Sequence, residues 1–434
     1  MLNHQTRNRV LAGTVLVSCL MLRSFDGAAA TISVSPGADN LQSTIARAAA
    51  GDVLHLQQGT HNGPVIIDKS LTLQGQQGSI IKGSGEGSTI TVAADDVVIR
   101  GLTVTGSGSA LATMDSGIFV NKSGNRALVE GNRIEGNLFG VYFWGPKDAV
   151  MRDNTVIGMT SHHVNSRGNG VSLWNTPGSI IEGNDFSFGR DGVFTTTSRN
   201  NIFRNNRFRN VRIAVHYMYT NNSEVSGNIS EGNHVGYALM FSKKLVVRGN
   251  RSINDRDHGI LLNFANSSVI EGNSVEDGKT KCVFIYNSNK NLFTGNRFKG
   301  CGIGIHFTAG SERNIMRSNA FIANRTQVKY VGTRHLDWSD KGQGNYWSDN
   351  PAFDLDGNGV ADTAYRPNDM VDRVVWAHPT AKLLLNSPAV QVLRWAQSQF
   401  PALLPGGVVD TAPLMTPPQL EILANLQKIR KVKP

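Results

Sequence analysis

The chain has 434 residues, 40% hydrophobic and 18% charged, with 43 Lys and Arg against 33 Asp and Glu for a formal net charge of +10. That composition excludes a disordered chain, and no apolar run is long enough to span a bilayer as a helix. The excess of positive charge suits an anionic lipid surface or an acidic protein partner.

Arg7 and Arg9 precede an apolar stretch from Val10 to Leu22, which runs into Ala28, Ala29 and Ala30. This is the layout of a secretory signal peptide, so residues 1–30 are expected to be removed, with cleavage near Ala30. A rival lipoprotein-type site, with lipidation at Cys19, lies at Leu16–Cys19. An exported protein rarely meets nucleic acid, which removes that partner class. Arg7, Arg9, Arg23 and Asp26 leave with the leader, so the mature chain keeps a net charge of +8. Cys282 and Cys301 remain. An oxidising compartment permits a disulfide between them, but the spacing does not require one.

Leu41, Ile45, Ala48 and Ala49 predict a short helix over Leu41–Ala50 that caps the N-terminal end of the fold. The segments Val53–Gln57, Val65–Gln74 and Val97–Val104 read as irregular early coils. From there a pattern of apolar, any, Gly or polar, Asn, any, apolar recurs. Its Asn residues run from Asn132 through Asn154, Asn184, Asn206, Asn228, Asn250, Asn273 and Asn296 to Asn319, at spacings of 22, 30, 22, 22, 22, 23, 23 and 23. A fixed period of this length marks a solenoid.

A second column, from Gly117 and Gly140 to Cys282 and Gly304, precedes short alternating stretches such as Val141–Trp144 and Ile260–Asn263. Alternation with no helical period predicts an all-β chain: a right-handed parallel β-helix of 22–23-residue coils. The Asn column is expected to stack as an amide ladder at a turn. The spacing of 30 marks an eight-residue insertion near Met159–Gly168, which carries His162 and His163. It reads as a loop projecting from one face.

Counted from the Gly column, positions +1 and +3 (Val141 and Phe143, Val171 and Leu173, Ile260 and Leu262) are apolar and point inward. Positions +2 and +4 therefore point outward, yet they hold Tyr142 and Trp144, Trp174, Phe194, His216 and Met218, and Met240. An outward face this apolar marks a binding surface or one covered by another segment, such as the C-terminal tail. Tyr142, Trp144, Trp174 and Phe194 are the candidate partner-binding face. His216, Met218 and Met240 combine imidazole and thioether, ligands suited to Cu(I). Asp255, Asp257 and His258 beside Arg256 keep a sugar-modifying reading open, against which the outward columns are poor in carboxylate, Lys and Arg.

The coils are assigned to residues 31–330, an irregular cap to 331–380 and a helical tail to 381–434. Within the cap, Asp354, Asp356, Asn358, Val360 and Asp362 follow a calcium-loop spacing with Gly359 at its sixth position. Tyr365 replaces the bidentate Glu, so a weak calcium site and a mere acidic turn both remain open. In the tail, Ser387 and Pro388 predict a helix start, and Thr416, Pro417 and Gln419 a second one. These helices either cap the coils or dock on a partner.

The Asn-ladder coils, together with Gly344–Asp349, Asp354–Gly359, Tyr365–Asn368, Val371–Arg373, Leu383–Val390 and Leu393–Gln397, resemble the NosD family, β-helical maturation factors of nitrous oxide reductase. The resemblance covers nearly all of the mature chain. It implies a periplasmic protein, not an enzyme, that works with an ABC-type permease and ATPase, a copper chaperone and the reductase, supplying copper to the reductase's copper–sulfide centre. Membrane association would be peripheral, through the permease. The family offers no catalytic residues to carry over, and the copper positions named above come from the residues alone. A polysaccharide-binding or -modifying β-helix and a metal-free adaptor are the alternative readings.

Overall fold

The computed structural model describes residues 29–37, 40–161, 163–367, 371, 374–375, 378–384, 387–400 and 407–419. The expected leader and the lipidation alternative at Cys19 lie outside them, as does His162. The described coils form a right-handed parallel β-helix of about 14 turns. Among the described residues its walls are three parallel sheets of 13, 12 and 13 strands. A coil contributes one short strand to sheet 1 and one to sheet 3, and from Ser116–Val120 onward a longer one to sheet 2. One such coil holds Ile202–Arg204, Arg207–Arg209 and Ile213–Met218.

The alternating positions explain the walls. Val141, Phe143, Val171, Leu173, Ile260 and Leu262 are all fully buried, and equivalent residues stack in register from coil to coil. Inside, Phe186 stacks on Phe208 with ring centroids 5.2 Å apart.

The Asn column forms the expected ladder. Asn228 Nδ2 donates to Asn250 Oδ1 at 3.0 Å and to the Phe203 carbonyl, while its Oδ1 accepts from the backbone N–H and Nδ2 of Asn206. Buried amides are thus satisfied on every side. The residue before each ladder Asn has positive φ. Gly serves at Gly227 (63°) and Gly249 (61°), and Asn205 (57°) or Asp153 (55°) elsewhere.

At the N-terminal end, helix α1 (Asn40–Arg47) buries Leu41 and Ile45 over the first coil. It stops short of the expected Ala50 because Asp52 Oδ2 accepts the Ala49 N–H and Gly51 turns the chain at φ 92°. The insertion is a loop with a single 3₁₀ turn, Val164–Ser166, whose N-cap is the exposed His163.

The C-terminal end differs from expectation in two respects. Residues 407–410, placed in a helical tail, are extended: Val408–Val409 pair in parallel with Leu336–Asp337. Two β-branched residues followed by a buried acceptor favour this pairing over helix. The Asn ladder continues one step to Asn345 (Asn319 Nδ2 to Asn345 Oδ1, 2.9 Å) and there meets Asp410 in place of another Asn. Asp410 Oδ2 accepts from the Asn345 N–H at 2.7 Å and from Trp347 Nε1 at 2.8 Å.

Trp347 stacks on Phe321 at 4.3 Å and closes the core. Helix α2 (Pro388–Gln399) starts at Ser387, whose Oγ accepts the Val390 N–H. Its Val390 packs with Val371 and Val375 in a small cluster separate from the coil core. Thr416–Gln419 are not helical, and the remainder of the second expected helix, 420–434, lies outside the described residues. No helix among the described residues is long and apolar enough to cross a membrane.

Candidate copper site and the outer face of sheet 2

The outer face of sheet 2 is built from the +2 and +4 positions, and the tail strand Val408–Val409 pairs with Leu336–Asp337 at the solenoid's C-terminal end. Trp174 is 39% exposed and stacks on Trp144 at 5.6 Å. Tyr142 stacks on Phe119 at 5.8 Å, and Phe194 meets His216 edge-on at 5.0 Å.

His216 and Met218 share one strand, and Met218 lies directly opposite Met240 on the next. Neighbouring strands are about 4.8 Å apart and i, i+2 residues roughly 6.7 Å, which sets the three positions on one patch of the outer face. All three side chains are half-buried.

Asp191, buried at the start of the preceding strand, accepts from Arg212 Nε at 2.8 Å and Nη2 at 2.6 Å, and lies 3.0 Å from His216 Nδ1. Burial alone would raise the pKa of this carboxyl. The hydrogen bonds from His216 and Arg212 outweigh it and hold the pKa below the ordinary carboxylate value. An ionised carboxylate only accepts, so Nδ1 carries the proton that faces Asp191, and in the neutral imidazole Nε2 is then the lone-pair nitrogen. His216 Nε2 is buried and has no hydrogen-bond partner among the described residues.

Further along the same face His258 and His306 flank Phe284 at 5.3 and 4.8 Å. Both imidazoles are pushed down to about 4, by burial first and then by the nearby Lys281 for His258 and Lys329 for His306.

The sugar-modifying constellation is not assembled. Asp255 is fully buried and accepts from Asn233 N, Ser230 Oγ and Ser252 Oγ at 2.8, 2.7 and 2.6 Å, a ladder position inside the turn. Asp257 Oδ2 instead sits 2.8 Å from His258 Nδ1. In the acidic loop Asp354 accepts the Asn358 and Gly359 N–H groups, Asn358 Oδ1 accepts the Val360 N–H, and Asp362 accepts that of Leu355. Among the described residues no group of three or more His, Cys, Asp or Glu is placed to hold a metal. Cys282 and Cys301 are disulfide-bonded, with Cα atoms 5.6 Å apart.

Residues 147–352 match the family model described as periplasmic copper-binding protein (NosD). The chain is 39% identical over 387 residues to a protein of Stutzerimonas stutzeri named probable ABC transporter binding protein NosD, covering 86% of this chain and 89% of that one. A Pseudomonas aeruginosa protein of the same name is 42% identical over 379 residues, 84% and 89% of the two chains.

This chain belongs to the NosD family.

Solved structures similar to it include an exopolygalacturonase from Thermotoga maritima (TM-score 0.52, 11% identity, 66% of this chain and 86% of that one). Another is a DFA-IIIase from Arthrobacter chlorophenolicus (0.50, 15%, 70% and 99%). At such identities their likeness to this NosD chain shows the parallel β-helix fold alone.

Two features escape a reading of the sequence. One is the Asp191–Arg212 support of His216, signalled only by a carboxylate in a strand-start column where later coils carry Ile213 and Val235. The other is a stack of rings, exposed Tyr219 and Phe264 with half-buried Phe241 between them, which recurs at the coil period directly after Met218, Met240 and Asn263.

Proposed function

We propose that this protein is a periplasmic maturation factor that receives Cu(I) from a chaperone and presents it, together with an ABC-type permease and ATPase, for assembly of the copper–sulfide centre of nitrous oxide reductase. The supporting observation is the unpartnered, buried Nε2 of His216, its ring held through Nδ1 by ionised Asp191 and set beside Met218 and Met240. A carboxylate behind a ligating imidazole fixes the tautomer and raises ligand basicity, and one imidazole with two thioethers suits soft Cu(I). Copper here is cargo, not a resident cofactor.

Tyr142, Trp144, Trp174 and Phe194 supply the face for the reductase or chaperone, as aromatic anchors do in protein interfaces. Helix α2 carries exposed Val392, Leu393 and Trp395, which suit docking on the permease. The acidic loop is taken as a structural turn, because backbone N–H groups occupy its carboxylates; a calcium-dependent rise in Tm would reverse that. No sugar chemistry is assigned, since Asp255 is sealed inside its turn.

The test is in cells. A strain lacking the native gene is complemented with the wild type or with a His216→Ala, Met218→Ala, Met240→Ala variant, and copper is measured in purified nitrous oxide reductase. The proposal expects reductase short of copper from the variant strain. Fully loaded reductase would leave a metal-free adaptor as the function.

A further inference from the structure

The corner between sheets 2 and 1 carries a feature that the copper reading does not use. Tyr219, Phe241 and Phe264 stack along the solenoid axis with ring centroids 5.1 and 5.3 Å apart, and Tyr286 meets Phe264 edge-on at 6.0 Å. Tyr219, Phe264 and Tyr286 are 53%, 41% and 42% exposed. The first three rings of this ladder stand at φ 51°, 50° and 51°, a left-handed conformation that bulky residues rarely adopt, and in flanking coils the place is taken by Asn175, Thr197 and Asn287. Backbone preference therefore does not account for the rings.

Beside the ladder lie Arg199, Lys243, Lys244, Lys290 and Arg313, all exposed and none in an ion pair among the described residues. This contrasts with the neighbouring walls, where arginines are matched by carboxylates on adjacent coils: Arg152 with Glu130, Arg204 with Glu182, Arg209 with Asp185. At one end the corner opens into a shallow groove of about 440 Å³, lined in part by Asn266, Asn289, Lys290 and Arg313. Asn266 Oδ1 and Asn289 Oδ1 are spent on backbone N–H groups at 2.7 and 2.6 Å. Glu312 also lines the groove, and its carboxylate is paired with Arg334 at 2.8 Å. The groove is left rich in donors, which suits an oxyanion.

We propose that this corner docks directly on an anionic lipid surface, with phosphate headgroups against the cations and groove and the rings at headgroup depth. Aromatic rings, two of them tyrosines, interleaved with Lys and Arg form the composition of a membrane interface. The ladder is a convex ridge, and a planar, deformable bilayer meets a ridge more readily than a shape-matched protein does. A sugar ligand is disfavoured because the rings cover one another's faces. Met218 and Met240 directly precede Tyr219 and Phe241, so docking would bring the proposed copper ligands to the membrane edge. The inference itself stands without copper.

The experiment is co-sedimentation of the mature protein with vesicles of equal parts phosphatidylglycerol and phosphatidylcholine, and with phosphatidylcholine alone. Binding is expected only to the anionic vesicles, weakening as salt rises. Lys244→Glu, Lys290→Glu, Arg313→Glu together should lower affinity about a hundredfold. Tyr219→Asn with Phe264→Asn, which install the residue that neighbouring coils already use there, should also reduce binding while the protein keeps its melting temperature. Lys122→Glu with Lys147→Glu, exposed at earlier coils, should bind as the wild type does. Four outcomes overturn the proposal: wild type that stays in solution, equal binding to both vesicles, corner variants that bind normally, and corner variants impaired only when the vesicles contain the permease. The last would assign the ridge to a protein partner.

Discussion

Asp191 on one coil holds His216 on the next: a buried carboxylate, already clasped by Arg212, lies 3.0 Å from Nδ1 and leaves Nε2 as the ring's free nitrogen. The relationship ties a stacking register, Phe194 opposite His216, to a ligand orientation. It also makes Asp191 a positioning residue for any metal that His216 binds. Asp191→Asn keeps the shape and removes the charge. We expect Cu(I) affinity to fall by about 10–100-fold, measured by competition with a chromophoric chelator. A merely structural carboxylate would lower the melting temperature and leave copper affinity unchanged.

Asp410 closes the amide ladder from 65 residues away. Asp410→Ala leaves the Asn345 N–H and Trp347 Nε1 buried without acceptors, at a cost of about 1–3 kcal/mol each. Asp410→Asn keeps one acceptor oxygen and should cost less. Hydrogen exchange at Asn319 and Asn345 should accelerate in the alanine variant, while amides near Asn154 stay protected, because each coil contacts only its neighbours. Uniform loss of protection would contradict a terminal cap.

His306 should make stability depend on pH. Its pKa is pushed down to about 4 from an ordinary 6.5, first by burial and then by Lys329. The unfolded chain therefore binds the extra proton first, so this contribution is present above pH 6.5 and is lost as pH falls toward 4. His306→Phe, which keeps a ring beside Phe284, should flatten the fall in melting temperature across that window. An unchanged slope would place the titration elsewhere.

Cys282 and Cys301 enclose a stretch with a sequence separation of 19 residues. Mass spectrometry of the non-reduced, exported protein should find their peptides joined. Cys301→Ser should destabilise by about 3 kcal/mol on the chain-entropy scale. Two free thiols in the exported protein would contradict the bond.

What is legible in the sequence is whatever repeats. The Asn132–Asn319 column and the alternation at Val141–Trp144 carry period and face together, so the walls, the core and the outward set derive from them. The N-terminal helix is visible through Leu41 and Ile45. Asp410 is not, because it completes a ladder whose other rungs are 22–30 residues apart in the chain, and nothing periodic points to it. Asp191 is hidden because a lone carboxylate at a strand start does not reveal that a histidine on the next coil will lie against it. The Tyr219, Phe241 and Phe264 stack is present at the coil period, but its rings sit one residue beyond the alternating strand, where turn residues are the expectation.

The most direct test of the account is anaerobic Cu(I) titration of the mature protein against a competing chromophoric chelator, beside the His216→Ala, Met218→Ala, Met240→Ala variant. The account predicts stoichiometric binding by the wild type that the variant loses. A wild type that never competes with the chelator, or a variant that binds as tightly, would contradict it.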